Sequence, residues 1–322
     1  MTRLDAETDE PSLHRDGAPG PVVELLDARE VPLGGVRGIT VHRTLPQRAL
    51  PMVGAWCFLD RFDHESAVMR VLPHPHIGLQ TVTWPIDGDI RHRDSVGSDV
   101  VVAPGQLNMM TAGLGISHSE LSLPEEPAEM HGLQLWTALP AASAHVAPFF
   151  EQHTELPVHR QPGLAATVML GTLGGATSPA MVFSPLLGAD IVVEPGTDVS
   201  LPLDTSFEHA VLVLSGTVTV AGTRVSSGPL LYLGSGRSVL AIESTDGARF
   251  VLLGGEPFED DLVMWWNFVG RDHDEIVAAR TDWEARNPRF GVVEGHGDDR
   301  IPAPPLPTVR LTPRRRRPIQ PG

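Results

Sequence analysis

The chain contains no lysine; all 24 basic residues are arginines, set against 40 carboxylates, for a formal net charge of -16. A body this acidic is expected to be soluble and to repel nucleic acid. There is one cysteine, Cys57, so no intrachain disulfide can form. Its apolar neighbours Trp56, Phe58 and Leu59 mark it as a packing residue rather than a reactive thiol. No apolar run is long enough to span a bilayer, and the first twenty residues are polar and acidic, without the apolar stretch of a secretory signal. A cytoplasmic protein is therefore expected. A Gly-x-Ser-x-Gly elbow and a Cys-x-x-Cys ribbon are also missing, which removes serine-hydrolase and zinc-ribbon readings. The glycine-rich stretch from Gly171 to Gly175 lacks the Gly-Lys-Ser/Thr ending of a phosphate loop.

What the chain has is turn residues. Thirty-two glycines and 30 prolines punctuate frequent Val and Leu runs, while aromatics make up only 5%. That combination predicts an all-β architecture with many short strands. Helical periodicity is scarce; the clearest case is residues 272–285, with Asp272 and Asp274 as candidate caps and Asn287-Pro288 as the stop. A length of 322 residues accommodates two domains, each with its own core. Pro140, Pro148, Pro157 and Pro162 place the boundary between them near 140–165.

Two short motifs carry chemistry. In Pro73-His74-Pro75-His76, extended backbone turns both imidazoles to one face; in His118-Ser119-Glu120 it does the same for an imidazole and a carboxylate. Neighbouring strands bearing these pairs can close three imidazoles and one carboxylate around a divalent ion. The mixed nitrogen and oxygen set suits iron, manganese, nickel, copper or zinc, and leaves an octahedral ion two open positions.

The runs from His74 to Trp84, Ile90 to Ser95, Met110 to Glu120 and His131 to Trp136, with Gly54 to Asp60, Gly254 to Pro257 and Asn267, resemble the pirin family of the cupin superfamily. The resemblance covers roughly residues 30 to 290 and implies a bicupin: two jelly-roll β-barrels, with one iron(II) in the first, held at the positions of His74, His76, His118 and Glu120. One departure stands out. General cupins, and many pirins, have a glutamate where this chain has Gln80, a poorer ligand for a hard cation. Gln80 is therefore expected to line the site or bond a substrate or water, as are His131 and Gln134, which the family places near the barrel mouth. His92 and Asp94 share one face of a strand and read as a surface charge ladder rather than a support for the ligands.

The halves look like a degenerate duplication in which Gln80 corresponds to Glu208. The same offset carries His74 and His76 onto Pro202 and Asp204, so the second barrel is expected to lack a metal cage, with His209 a plain strand histidine. The expected organisation is a disordered N-terminus over 1–25, a metal-binding barrel over 26–150, a metal-free barrel plus helix over 151–290, and a disordered Pro/Arg-rich tail over 291–322. Within that tail, Arg314, Arg315, Arg316 and Arg317 are the one place where nucleic acid or an acidic partner could dock.

Two functions of different class follow from the resemblance. One is a quercetin 2,3-dioxygenase-like enzyme acting on a phenolic small molecule, with Glu120 as ligand or general base. The other is a non-catalytic iron or redox sensor that binds a regulatory protein partner. The open ligand set favours the enzyme, since structural metal sites are usually closed.

Overall fold

The structure is a computed structural model that describes residues 22–32 and 39–313; the arginine run at 314–317 and most of the N-terminal arm lie outside them. The strands of the first half are β1 (Glu24–Leu26), β2 (Arg29–Pro32), β3 (Thr40–Leu45), β4 (Trp56–Ala67), β5 (Arg70–His76), β6 (Leu79–Asp87) and β7 (Asp89–Asp94). They continue with β8 (Asp99–Val102), β9 (Leu107–Thr111), β10 (Ile116–Leu123), β11 (Ala128–Ala138) and β12 (Phe149–His153). A four-stranded sheet in the order β5-β10-β7-β8 faces a seven-stranded sheet in the order β12-β9-β6-β11-β4-β3-β2, and together they close the first barrel. A second barrel is built from the strands between Val158–Gln161 and Ala248–Gly255. The fold is the expected all-β bicupin. Among the described residues no helix is long and apolar enough to cross a membrane.

The period-two rule explains which side chains meet. Along β7, buried positions alternate with half-exposed ones, because only one face of that sheet is covered. Along β6, Leu79 to Trp84 are all buried, because the seven-stranded sheet is covered on both faces. One face of β6 turns into the first barrel, where Thr83 lies between Asn108 and Gln134, and Gln134 in turn faces Asp60. The other face turns to the second barrel. There Leu59, Val82, Leu133 and Leu135 share an apolar cluster with Met169, Leu170, Leu212 and Leu253.

Polar contacts also cross that interface. Trp56 donates its indole N–H to the carbonyls of Leu187 (3.0 Å) and Gly254 (3.1 Å), and Trp84 donates to Asp190 (2.9 Å). Glu208 accepts from the Gly54 N–H (2.8 Å) and the Tyr232 hydroxyl (3.0 Å). The interior of the second barrel is filled by Val, Leu, Ile, Ala and Phe side chains.

The two halves exchange their ends, which changes the expected domain limits. β1 adds to the strand Leu230–Gly234 of the second barrel, so residues 24 and 25 of the expected disordered arm are in a sheet. β12 pairs with β9 and belongs to the first barrel. Beyond the second barrel, the chain returns to the first as a hairpin (Val263–Trp265 with Phe268–Gly270) and the helix α1 (His273–Glu284). Asp272 caps α1 by accepting from the Glu275 N–H, as its sequence suggested.

Residues 291–313 are not the free tail expected from their composition. They run back over the first barrel, where the Ile301 N–H donates to the Pro73 carbonyl (2.8 Å) and Val293 and Ala303 are buried. Besides this bond to an open sheet edge, Ala303, Leu306 and Leu311 pack on the cluster around Phe290, and the Trp283 indole N–H donates to the Ile301 carbonyl (2.9 Å). β5 is that edge strand, and it tolerates Pro73 and Pro75 for the same reason.

Candidate metal centre

Antiparallel pairing of β5 with β10 sets His118 opposite His74 and Ile116 opposite His76. All three imidazoles point into the first barrel and are buried. Their ring centroids lie 4.3 to 5.0 Å apart, and one nitrogen from each comes within 4.8 Å of the others. The turn after His76 needs Gly78: its φ is +68°, and a Cβ there would sit 2.0 Å from the Val269 carbonyl oxygen of the returning hairpin.

Hydrogen bonds assign the proton positions. The Nδ1 of His74 faces the Leu72 carbonyl (2.9 Å), and that of His76 faces the Asn267 carbonyl (3.1 Å). Carbonyls only accept, so both Nδ1 atoms carry hydrogen and both Nε2 atoms present lone pairs. The His76 Nε2 then stands 3.1 Å from the His118 Nε2. Burial, with the Leu72 carbonyl opposing it, takes the His74 pKa from 6.5 down to about 4. Burial and the neighbouring imidazoles push His76 and His118 well below the usual range. None of the three rings is therefore an imidazolium near neutral pH, and each keeps one nitrogen lone pair. The donor set fits a metal cation: imidazole nitrogens converge in a buried pocket, with the outer nitrogens of His74 and His76 held by carbonyl acceptors.

Glu120 is buried beside this group but does not join it. It shares the inward face of β10 with His118, and its carboxylate reaches across to β6, where Oε1 is 3.2 Å from the Thr83 hydroxyl. Thr83 is also 3.1 Å from the Gln134 amide oxygen, and its single proton serves one of them at a time. Burial raises the Glu120 pKa, with His92 and Thr83 opposing the rise. The inner wall opposite the histidines is aromatic and charged. Trp136 sets its edge on His76 (5.2 Å, 80°) and stacks on Phe58 (3.9 Å), and Arg43 lies over Phe58 while holding Asp60 through two bonds of 2.6 and 2.7 Å.

The other residues singled out in the sequence are placed as follows. Gln134 lies on the inner wall. Gln80 is on the opposite face of β6, donating to Thr111 (2.9 Å) and to the Met181 carbonyl of the second half (3.0 Å) and accepting from Thr137 (3.3 Å). His131 is away from the triad, half-buried beside Asp63 (3.1 Å) and Asp87 (3.4 Å). His92 and Asp94 form no surface ladder: each is only 3% exposed, because β7 turns this face into the barrel. Sequence reasoning missed Thr83, although Thr81 and Thr83 alternating with Val82 and Trp84 on a strand buried on both faces signal a polar interior.

A family model described as Pirin matches residues 38–137, and one described as Pirin C-terminal cupin domain matches residues 188–291. A Pseudomonas aeruginosa protein named "Putative quercetin 2,3-dioxygenase" is 44% identical over 290 residues, 89% of this chain and 91% of its own length. A pirin-like protein of Caulobacter vibrioides is 37% identical over 293 residues, 87% of this chain and 98% of its own length. The solved structure of a quercetin 2,3-dioxygenase from Acinetobacter baumannii superposes with a TM-score of 0.84 at 39% identity, covering 90% of this chain and 97% of that one.

Proposed function

This chain belongs to the pirin family, and from that premise we propose that its first barrel is an iron-dependent dioxygenase site for a flavonol-like phenolic substrate. The observation that carries the reading is the convergence of three buried imidazoles, one nitrogen from each within 4.8 Å of the others and the His76 Nε2 3.1 Å from the His118 Nε2. The names of the Pseudomonas and Acinetobacter relatives supply the substrate class.

In this reading His74, His76 and His118 hold one divalent ion, and Glu120, whose Oε1 meets Thr83 in this structure, would shift toward them to add its second carboxylate oxygen as the fourth ligand. Bound there, the ion supplies Lewis acidity and a template that orients a phenolic oxygen and dioxygen. With three neutral imidazoles and one carboxylate the site keeps a net positive charge, which favours a phenolate over a neutral ligand. The chain's own residues do the rest. Glu120, raised in pKa by burial, would take the phenolic proton, with the Thr83 hydroxyl steadying its carboxylate. Trp136 and Phe58 offer an apolar, water-excluding wall to flat aromatic rings.

Oxygen-electrode measurements test this directly. Iron(II)-loaded protein with quercetin should consume dioxygen and release carbon monoxide, and Glu120→Gln should lower turnover by about 10²–10⁴-fold, the usual worth of general-base catalysis. Absence of oxygen uptake across flavonols, catechols and other enediols would overturn the enzyme reading.

A further inference from the structure

We propose that Asp94 and His92 are a positioning pair that fixes the tautomer and donor strength of His118, an inference that rests on the metal centre proposed above. The Asp94 carboxylate is anchored first. Its Oδ1 accepts from the N–H groups of Val96 (3.0 Å) and Ser98 (2.9 Å), and its Oδ2 lies 3.1 Å from the His92 Nε2. An ionised carboxylate can only accept, so His92 carries its hydrogen on Nε2 and leaves a lone pair on Nδ1. That lone pair faces the His118 Nδ1 at 3.4 Å. The His118 hydrogen is thereby placed on Nδ1, and its Nε2 lone pair turns toward His76. Phe150 stacks on the His92 ring (4.4 Å, 19°) and holds its plane.

The contrast with the other two ligands gives the pair its meaning. His74 and His76 rest on neutral backbone carbonyls. His118 rests on a side chain backed by a carboxylate, so a formal negative charge stands two hydrogen bonds from its donor nitrogen. Carboxylates behind metal-bound imidazoles orient the ring and raise its basicity, and their loss typically weakens metal binding by about 10–100-fold. Here one imidazole is interposed between carboxylate and ligand. Both members are almost fully buried, a costly position that the chain of hydrogen bonds offsets.

Cobalt(II) serves as probe, since one titration reports both affinity, by chelator competition, and coordination, by visible absorption. Asp94→Asn can keep the bonds to Val96 and Ser98 through its oxygen, but it presents an N–H to His92. The His92 hydrogen then moves to Nδ1, and donor faces donor at His118. We expect Asp94→Asn and His92→Leu to bind cobalt about 10–100-fold more weakly with a shifted spectrum. His92→Gln, which can accept from His118 and donate to Asp94 through one carboxamide, should recover most of both. Wild-type affinity and spectrum in Asp94→Asn and His92→Leu would overturn the positioning role while leaving the metal centre standing. So would failure of His92→Gln to outperform His92→Leu. A wild-type protein that takes up no cobalt would overturn the metal centre and this inference with it.

Discussion

At the scale of single residues, the informative comparison is Gln80 with the histidines that precede it. The expectation that Gln80 lies beside the ligands came from the family pattern, which has a glutamate there; an unbroken strand would also have set it on the face of His74 and His76. The positive φ of Gly78 ends β5 and begins β6 in the other sheet, which resets the alternation. A lone glycine does not announce which sheet the chain enters next, so the two histidines and His118 were legible and the face of Gln80 was not. Because Gln80 bonds Thr111, Thr137 and the Met181 carbonyl, Gln80→Ala should cost about 1–3 kcal/mol through unsatisfied buried groups. Denaturant melts should show that loss while metal content stays at the wild-type level. Metal loss matching that of His76→Ala would show that the residue reaches the ion.

At the scale of elements, the returning C-terminal hairpin and the segment after α1 act as a clamp on β5 and β10. Asn267 offers its carbonyl to His76, the Ser117 hydroxyl donates to the Phe290 carbonyl (2.8 Å), and His296 meets Ser119 (2.9 Å). Phe290 anchors the clamp in a cluster with Ile77, Phe268, Ile276 and Trp283. Phe290→Ala should therefore destabilise the protein by about 3–5 kcal/mol. It should also weaken metal binding, since the clamp orients a ligand it does not supply; calorimetry with and without metal separates the two effects. Helix α1 was readable because Asp272 and Asn287-Pro288 are local signals. The course of residues 291–313 was not, because its anchors, the Ile301 N–H on the Pro73 carbonyl and scattered contacts of Ala303, Leu306, Leu311 and His296, are distant in sequence and follow no period.

At the scale of the whole molecule, the duplication read from the sequence has a physical counterpart at the interface. Gln80 of the first half bonds the second, and Glu208, its counterpart, bonds Gly54 of the first. The halves differ inside: a polar, histidine-bearing interior in one, an apolar one in the other. His209 is the exception in the second barrel, fully buried with neither ring nitrogen in hydrogen-bonding geometry. Burial, with a smaller opposing pull from Asp204, lowers its pKa from 6.5 to about 4. The folded state then binds its proton less readily than the unfolded chain, so stability is full above pH 6.5 and falls as the pH drops toward 4. A shift of this size is worth about 3 kcal/mol. The stability difference between wild type and His209→Leu should change by roughly that amount over this window in pH-dependent melts, and parallel curves would show that the imidazole does not titrate this way.

Among the described residues, the converging imidazoles of the first barrel are the site proposed to hold one metal ion. The most direct measurement is elemental analysis of protein loaded anaerobically with iron(II) and desalted, for the wild type and for His118→Ala. One ion per chain is expected in the wild type and little in the variant; two tightly bound ions per chain, or full retention after His118→Ala, would contradict a single site built on these imidazoles.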